Sequence, residues 1–174
     1  MRPVETVSSY PRPPLIELVS GSVEIWIAGH QIALDQRYLR VCETFHPPTI
    51  YLHPSAFSPG TLHPSTGRPS FCEWKGVAAY WDVSAADGTD RRVRAGWSYP
   101  KPTESFSLLA GWISVYPRRV DRCRLEGEDV LGQPGEFYGG WVSPWIQGPF
   151  KGDPDHPELV GGIRRVSGLT PKHD

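Results

Sequence analysis

Apolar and polar residues alternate with a period of two through much of the chain, the spacing of strands that bury one face. In SVEIWIAG, Val23, Ile25 and Ile27 alternate with Glu24 and Trp26 up to a Gly-His turn. QIALDQRYLRVCET continues the pattern with Leu39 and Val41 set against Arg40 and Cys42, and PPTIYLHP is a short strand between proline stops. Residues 54–70 lack the alternation and predict a loop. Two further strands flank SAADGTD, where Asp87-Gly88 is a strong hairpin signal. With those two residues as the turn, Gly76 faces Tyr99, Ala78 faces Trp97 and Tyr80 faces Ala95, each ring opposite a small residue. On the other face Trp81 then meets Arg94 as a cation–π pair. PTESFSLLAGW predicts the one short helix, with Thr103 as N-cap. WISVYP and DRCRLEGEDV predict a last strand pair turning near Glu126-Gly127.

These elements divide the chain into four parts. Residues 1–20 are proline-rich and read as an N-terminal arm, and residues 21–131 hold the strands of one mainly β domain. After residue 131 the composition shifts to Gly, Pro and Trp in GEFYGGWVSPWIQGPFKG, too aromatic for a solvated linker. Residues 132–155 are therefore expected as an ordered wrap packed on the domain, and 156–174 as a loose tail.

Composition narrows the function classes. At 174 residues the chain can bury one core without disulfide or metal. Eighteen basic residues against nineteen acidic ones give no field of one sign, which argues against nucleic acid and anionic lipid as partners. No apolar run approaches the ~20 residues of a membrane span, and the start lacks the apolar stretch of a secretory signal, so the default compartment is the cytoplasm. Cys42, Cys72 and Cys123 are odd in number and form no Cys-x-x-Cys pair, so neither a disulfide framework nor a zinc site is expected. His46, His53 and His63 lie beside prolines or in predicted loops without metal-ligand spacing, and read as surface-loop residues. No metal and no cofactor is expected.

The candidate chemistry centres on FCEWKGVAAYW, residues 71–81. Lysine is seldom buried without a partner, yet Lys75 stands between Trp74 and Gly76 in a chain with only four lysines against fourteen arginines. Its ammonium either anchors a ligand, with Glu43 or Glu73 as the acid nearby, or snorkels from a strand edge to water. A bulge at Gly76 would aim it toward the face of Trp97 and Tyr99. Glu43 and Arg40 are either a surface ion pair or pocket groups. Tyr51, Tyr80, Trp97 and Tyr99 are either plain core or the wall of an aromatic cavity. Cys72 is a candidate nucleophile with Lys75 lowering its pKa.

RYLRVCETFHPPTIYLHP, FCEWKGVAAYWDV, GWSYPKP, WISVYP and FYGGWVSPWIQGPFKG occur in this order. Together, over about residues 21–152, they resemble the family catalogued as domain of unknown function 427. The resemblance implies a β-tent: two antiparallel sheets meeting at an angle, similar in shape to the methionine-sulfoxide reductase and cereblon thalidomide-binding domains. Relatives of that shape carry zinc on two Cys-x-x-Cys pairs, which this chain lacks. The family also carries a nucleotidyltransferase-type label, although no phosphate-binding Gly-rich loop opens a helix here. The expected function is binding of a small organic ligand by Arg40, Glu43, Tyr51, Cys72, Lys75, Tyr80, Trp97 and Tyr99, with Lys75 and Glu43 as polar anchors. The alternatives are an enzyme using the same pocket, with Lys75, Cys72 or Glu43 catalytic, and a protein-interaction scaffold.

Overall fold

The computed structural model describes residues 2–160. β1 (Glu5–Thr6) is short, and the long alternating segments follow as β2 (Leu15–Ile27) and β3 (His30–Cys42). They join at Ala28-Gly29, where both residues take positive φ (51° and 76°), as the tight turns that match strand twist require. β4 (Thr49–Tyr51) lies on the other side of β3. β5 (Leu62–Pro64), β6 (Ser70–Cys72), β7 (Gly76–Val83), β8 (Arg92–Ser98) and β9 (Ile113–Val115) come next. β10 (Arg122–Leu125) and β11 (Glu128–Asp129) turn at Glu126-Gly127, and β12 (Leu131–Gly132), β13 (Trp141–Val142) and β14 (Ile146–Gln147) lie in the aromatic C-terminal part.

The first sheet has the order β11-β10-β2-β3-β4 and the second β5-β7-β8-β9, with β6 also paired to β7. Every pairing in both is antiparallel. The sheets meet at one seam, where Leu52 and Ile113 exchange both backbone hydrogen bonds at 2.8 Å. The fold is thus mainly β, of the two-sheet kind expected of a β-tent. Two smaller ladders tie the chain ends down: β1 runs parallel to β14, and β12 pairs with β13.

Several local expectations differ from what is found. Residues 15–20 are no arm: they form the first half of β2 and pair with Arg37–Cys42. Leu62–Pro64, expected as loop, pairs with β7 as a short edge strand, Leu62 opposite Val83 and His63 opposite Asp82. WISVYP and DRCRL do not pair with each other, since β9 joins β8 while β10 joins β2. Helical structure is confined to 3-10 segments among the described residues, the longest being Glu104–Leu109 at the expected place. Thr103 does not cap it by side chain; its hydroxyl instead donates to the carbonyl of Trp74 at 2.5 Å. The loose tail expected over 156–174 falls mostly outside the described residues.

The β7–β8 hairpin turns at Asp87-Gly88 as predicted, but its register shifts by two residues on the way down. Val83 faces Arg92, whereas Trp81 faces Gly96 and Tyr80 faces Trp97. Between those rungs β7 spends one residue, Asp82, against three on β8, and Arg94 takes φ 53°. Asp82 fills the bulge: its carboxylate accepts from Arg94 N–H and from Arg91 Nε, both at 2.9 Å. The displaced Arg94 guanidinium then lies 3.8 Å from the centroid of Tyr80, not on Trp81. A turn signal alone could not reveal a bulge closed by a side chain eight or more positions away.

Two apolar clusters fill the fold. Val23, Ile25, Tyr38, Cys42, Ile50, Val83, Ile113 and Val115 belong to one, together with Trp141, Trp145 and Ile146 of the C-terminal part. Leu39, Val41, Tyr51, Cys72, Trp97, Tyr99 and Tyr116 belong to the other. β3 buries both faces, Tyr38 and Cys42 on one and Leu39 and Val41 on the other. The C-terminal segment approaches the second cluster so closely that a Cβ on Gly139 would fall 2.1 Å from Trp97 Cη2.

Two predictions follow from these contacts. Gly139→Ala should lower stability by roughly 1–3 kcal/mol, the cost of overpacking, and alter the near-ultraviolet signal of Trp97; an unchanged melt would show that this segment docks loosely. For Asp82, burial opposes ionisation, but the hydrogen bonds from Arg94, Ser65 and Arg91 outweigh it and hold the carboxyl below its ordinary range. Its folded pKa being depressed, the stabilisation is present above the unfolded value of about 3.9 and is lost as pH falls through the folded one. Denaturant titrations should therefore find Asp82→Asn less stable by about 1 kcal/mol near neutrality, with the gap to wild type closing in strong acid.

Candidate functional site

Lys75 sits in a hairpin tip, not within a strand. Cys72 pairs with Gly76 across three turn residues, and Gly76 takes φ 104°, the left-handed position with which such loops re-enter the ladder. The tip is held from outside: Thr103 N–H donates to the Lys75 carbonyl at 3.1 Å, next to the Thr103–Trp74 bond. This turn folds the lysine inward. Its side chain is 1 % exposed and its ammonium lies 5.4 Å from the centroid of Tyr99, which rules out snorkelling. Of the two orientations open in the sequence, the one toward Tyr99 is found.

Glu43 comes from the end of β3. Strand alternation puts it on the same face as Leu39 and Val41, and it is 5 % exposed. Arg40 lies on the opposite face, where it binds Glu5 at 2.8 and 3.0 Å and also Glu17. It joins the N-terminal strand to the sheet and does not share the site of Glu43.

The chain then turns sharply through Glu43–His46. His46 N–H donates to the Glu43 carbonyl at 2.9 Å, and Phe45 takes φ 64°, a conformation that costs energy for a bulky residue. Two outside contacts hold it: Phe45 N–H donates to Val7 C=O at 3.0 Å, and Phe45 C=O accepts from Lys151 N–H at 2.8 Å. The turn places His46 Nε2 3.7 Å from Glu43 Oε2. His46, expected on a surface loop, is fully buried.

Gln133 closes this arrangement. Its Oε1 accepts from Gly140 N–H at 3.2 Å and its Nε2 donates to Lys151 C=O at 2.9 Å, so two backbone groups fix the amide orientation. The same Nε2 lies 3.0 Å from His46 Nδ1. Nδ1 must then accept, which leaves the imidazole proton on Nε2, toward Glu43. Tyr138 stands edge-on to His46 with centroids 5.4 Å apart. Burial, and next the charge of Glu43, push its phenol pKa up.

The aromatic residues form one packed wall. Trp97 Nε1 donates to Tyr51 Oη at 3.2 Å, and the rings of Trp97 and Tyr116 lie 4.5 Å apart. Tyr51, Trp97 and Tyr99 are all fully buried and form core. Tyr80 is at the rim, with its hydroxyl 2.7 Å from Ser70 Oγ and Arg94 over its ring. A cleft of about 290 Å³ opens beside the wall between Tyr116, Arg118, Arg119, Glu136 and Tyr138.

Lys151 is the residue that the sequence reading missed. It is 6 % exposed, and burial, followed by the charge of Arg12, lowers its pKa against the pull of Glu43 and Glu73. The available signal was its place in GPFKG: a lysine among rings, in a chain with few lysines. His46, Tyr116, Gln133 and Tyr138 were also missed, since only the fold brings them together.

No three His, Cys, Asp or Glu side chains among the described residues are grouped as a metal site requires. Asp153-Pro154-Asp155 forms a turn of its own, in which Asp155 N–H donates to Asp153 Oδ1 at 2.9 Å. No described helix is long and apolar enough to cross a membrane.

A family model described as Domain of unknown function (DUF427), which carries a nucleotidyltransferase-type label, matches residues 15–126. The match starts at the first residue of β2 and ends before β11, so it includes Glu43, His46 and Lys75 but not Gln133, Tyr138 or Lys151. A search of the curated proteins gave no match.

All three cysteines are free and buried. Burial raises the Cys42 thiol to about 12 and pushes Cys123 up as well, while Cys72 is 4 % exposed within the aromatic cluster. A thiol probe at neutral pH should therefore label none of them in the folded chain and all three after unfolding. Rapid labelling of Cys72 alone would instead favour the enzyme reading.

Proposed function

The chain belongs to the DUF427 family, and on that premise we propose that it binds a small organic ligand at the aromatic wall, with Lys75 and Glu43 as polar anchors. The observation that carries this reading is Lys75 itself: an ammonium turned inward by a three-residue hairpin and set against Tyr99 at 1 % exposure. Burying an ammonium is costly, and a stability role alone is served as well by an apolar residue of similar volume. Ionisable groups gathered in a buried layer beside a cleft are what binding and catalytic sites have in common. Tyr116 and Tyr138 line the cleft and supply flat apolar surface for a planar body, with Trp97 packed behind Tyr116, and Glu43 and His46 next to Tyr138 supply an acceptor and a donor. The cleft at Tyr116 and Tyr138 is the approach, since Tyr138 contacts His46 and Tyr116 contacts Trp97.

The test is a thermal-shift screen of the full chain against soluble metabolites, because a ligand that binds only the folded state raises the melting temperature. Lys75→Met retains most of the stem and removes the charge. It should melt cooperatively near the wild-type temperature and lose the shift produced by any hit. Destabilisation by several kcal/mol, the order seen when a buried partner is stranded, would make Lys75 part of a structural ion pair and remove the support for this reading.

A further inference from the structure

Four charged side chains are buried among the described residues: Glu43, Lys75, Asp82 and Lys151. Asp82 is satisfied in its bulge by Arg91 and Arg94, on the β7–β8 hairpin. What remains around the site is one carboxylate and two ammoniums. The surplus is on Lys151, whose side chain makes no salt bridge or hydrogen bond among the described residues although it is 94 % buried. Its backbone is fixed at both ends of the peptide unit, by Phe45 C=O and by the Gln133 amide. The next residue, Gly152, lies so close to Pro134 that a Cβ there would fall 2.0 Å from the Pro134 carbonyl oxygen. These contacts hold the Lys151 backbone against Gln133 and the turn at Phe45, and its Nζ is not among the fully buried unpartnered side-chain atoms, so the ammonium at the end of a buried stem reaches solvent. A cation held there without an anionic partner is open to an anion brought from outside.

We propose that Lys151 is the anion-binding lysine of this site, and that the ligand carries a carboxylate or phosphate seated on it. This inference rests on the small-ligand reading above and names the ligand's class: an anionic head on a planar apolar body. Glu43 and His46 then face the ligand's polar edge, and the surplus positive charge of the buried layer is neutralised on binding. The C-terminal segment, beyond the family-matched residues, is thereby part of the site and not only its cover.

The experiment uses the full chain and three probes with a common ring, benzoate, phenyl phosphate and benzyl alcohol, with affinities measured by protein-observed NMR titration. Wild type should bind at least one anionic probe about tenfold or more tightly than benzyl alcohol, the scale of one charge-assisted contact; which anion binds better separates carboxylate from phosphate. Lys151→Met should erase that preference, and Lys151→Arg should restore most of it. If wild type binds all three probes equally, or Lys151→Met keeps the anion preference, Lys151 is not the anchor, although a pocket for aromatic ligands still stands. If none of the three binds, both the anion assignment and the pocket reading fall. The wild-type comparison needs no variant and decides the charge class of the ligand; if Lys151→Met does not fold, Lys151→Gln decides whether Lys151 or another cation of the site holds the anion.

Discussion

The two sheets share a single edge, the reciprocal pair of hydrogen bonds between Leu52 and Ile113, and the interior is arranged around that seam. Joining β4 to β9 there sets which residues of each strand point to which cluster. Ile50 and Leu52 enter the first core with Ile113 and Val115, while Tyr51 and Tyr116 turn to the second. Tyr51 can then accept the Trp97 indole hydrogen and Tyr116 can pack against the same ring. The first core is completed from the C-terminal part: Trp141 is buried there and its indole donates to Val115 C=O at 3.0 Å.

Strand alternation aims Glu43, but Lys75 and His46 are placed by turns. Strand residues alternate between faces, so a strand offers one direction to every second side chain. The hairpin tip at Lys75 and the turn at Glu43–His46 escape that rule, at the expense of left-handed backbone at Gly76 and Phe45. Glycine adopts that conformation freely, but Phe45 does not, and its turn is held by Val7 on one side and Lys151 on the other. Gln133 extends the hold, since one amide bridges His46, the Lys151 carbonyl and Gly140. Both chain termini of the described fold are thus engaged in positioning the residues that the family-matched strands supply.

Much of the fold was legible because it depends on local patterns. Alternation located β2, β3, β4, β7, β8, β9 and β10, and Asp87-Gly88 and Glu126-Gly127 marked the turns at which they reverse. The β7–β8 register was not legible, since Asp82 closes a bulge with the N–H of Arg94 and no local pattern encodes that bond. The same holds for β9 and β10, neighbours in sequence that enter different sheets. At the site, Lys75 and Glu43 stood out as charges inside apolar runs, whereas His46 among prolines resembled any loop histidine.

What the sequence determined by itself is therefore the class of fold, most of the strand and turn positions, and Lys75 as a charge out of place, all of which follow from periodicity and from residue types in unusual surroundings. Only the tertiary structure decided that Arg40 leaves the site for Glu5 and Glu17, that Lys75 points to Tyr99, and that Gln133 and Lys151 join His46 and Glu43. Each of these is a contact between segments tens of residues apart. Such contacts are selected by the packing of whole sheets against each other, and the energy that selects them does not exist until the sheets have met.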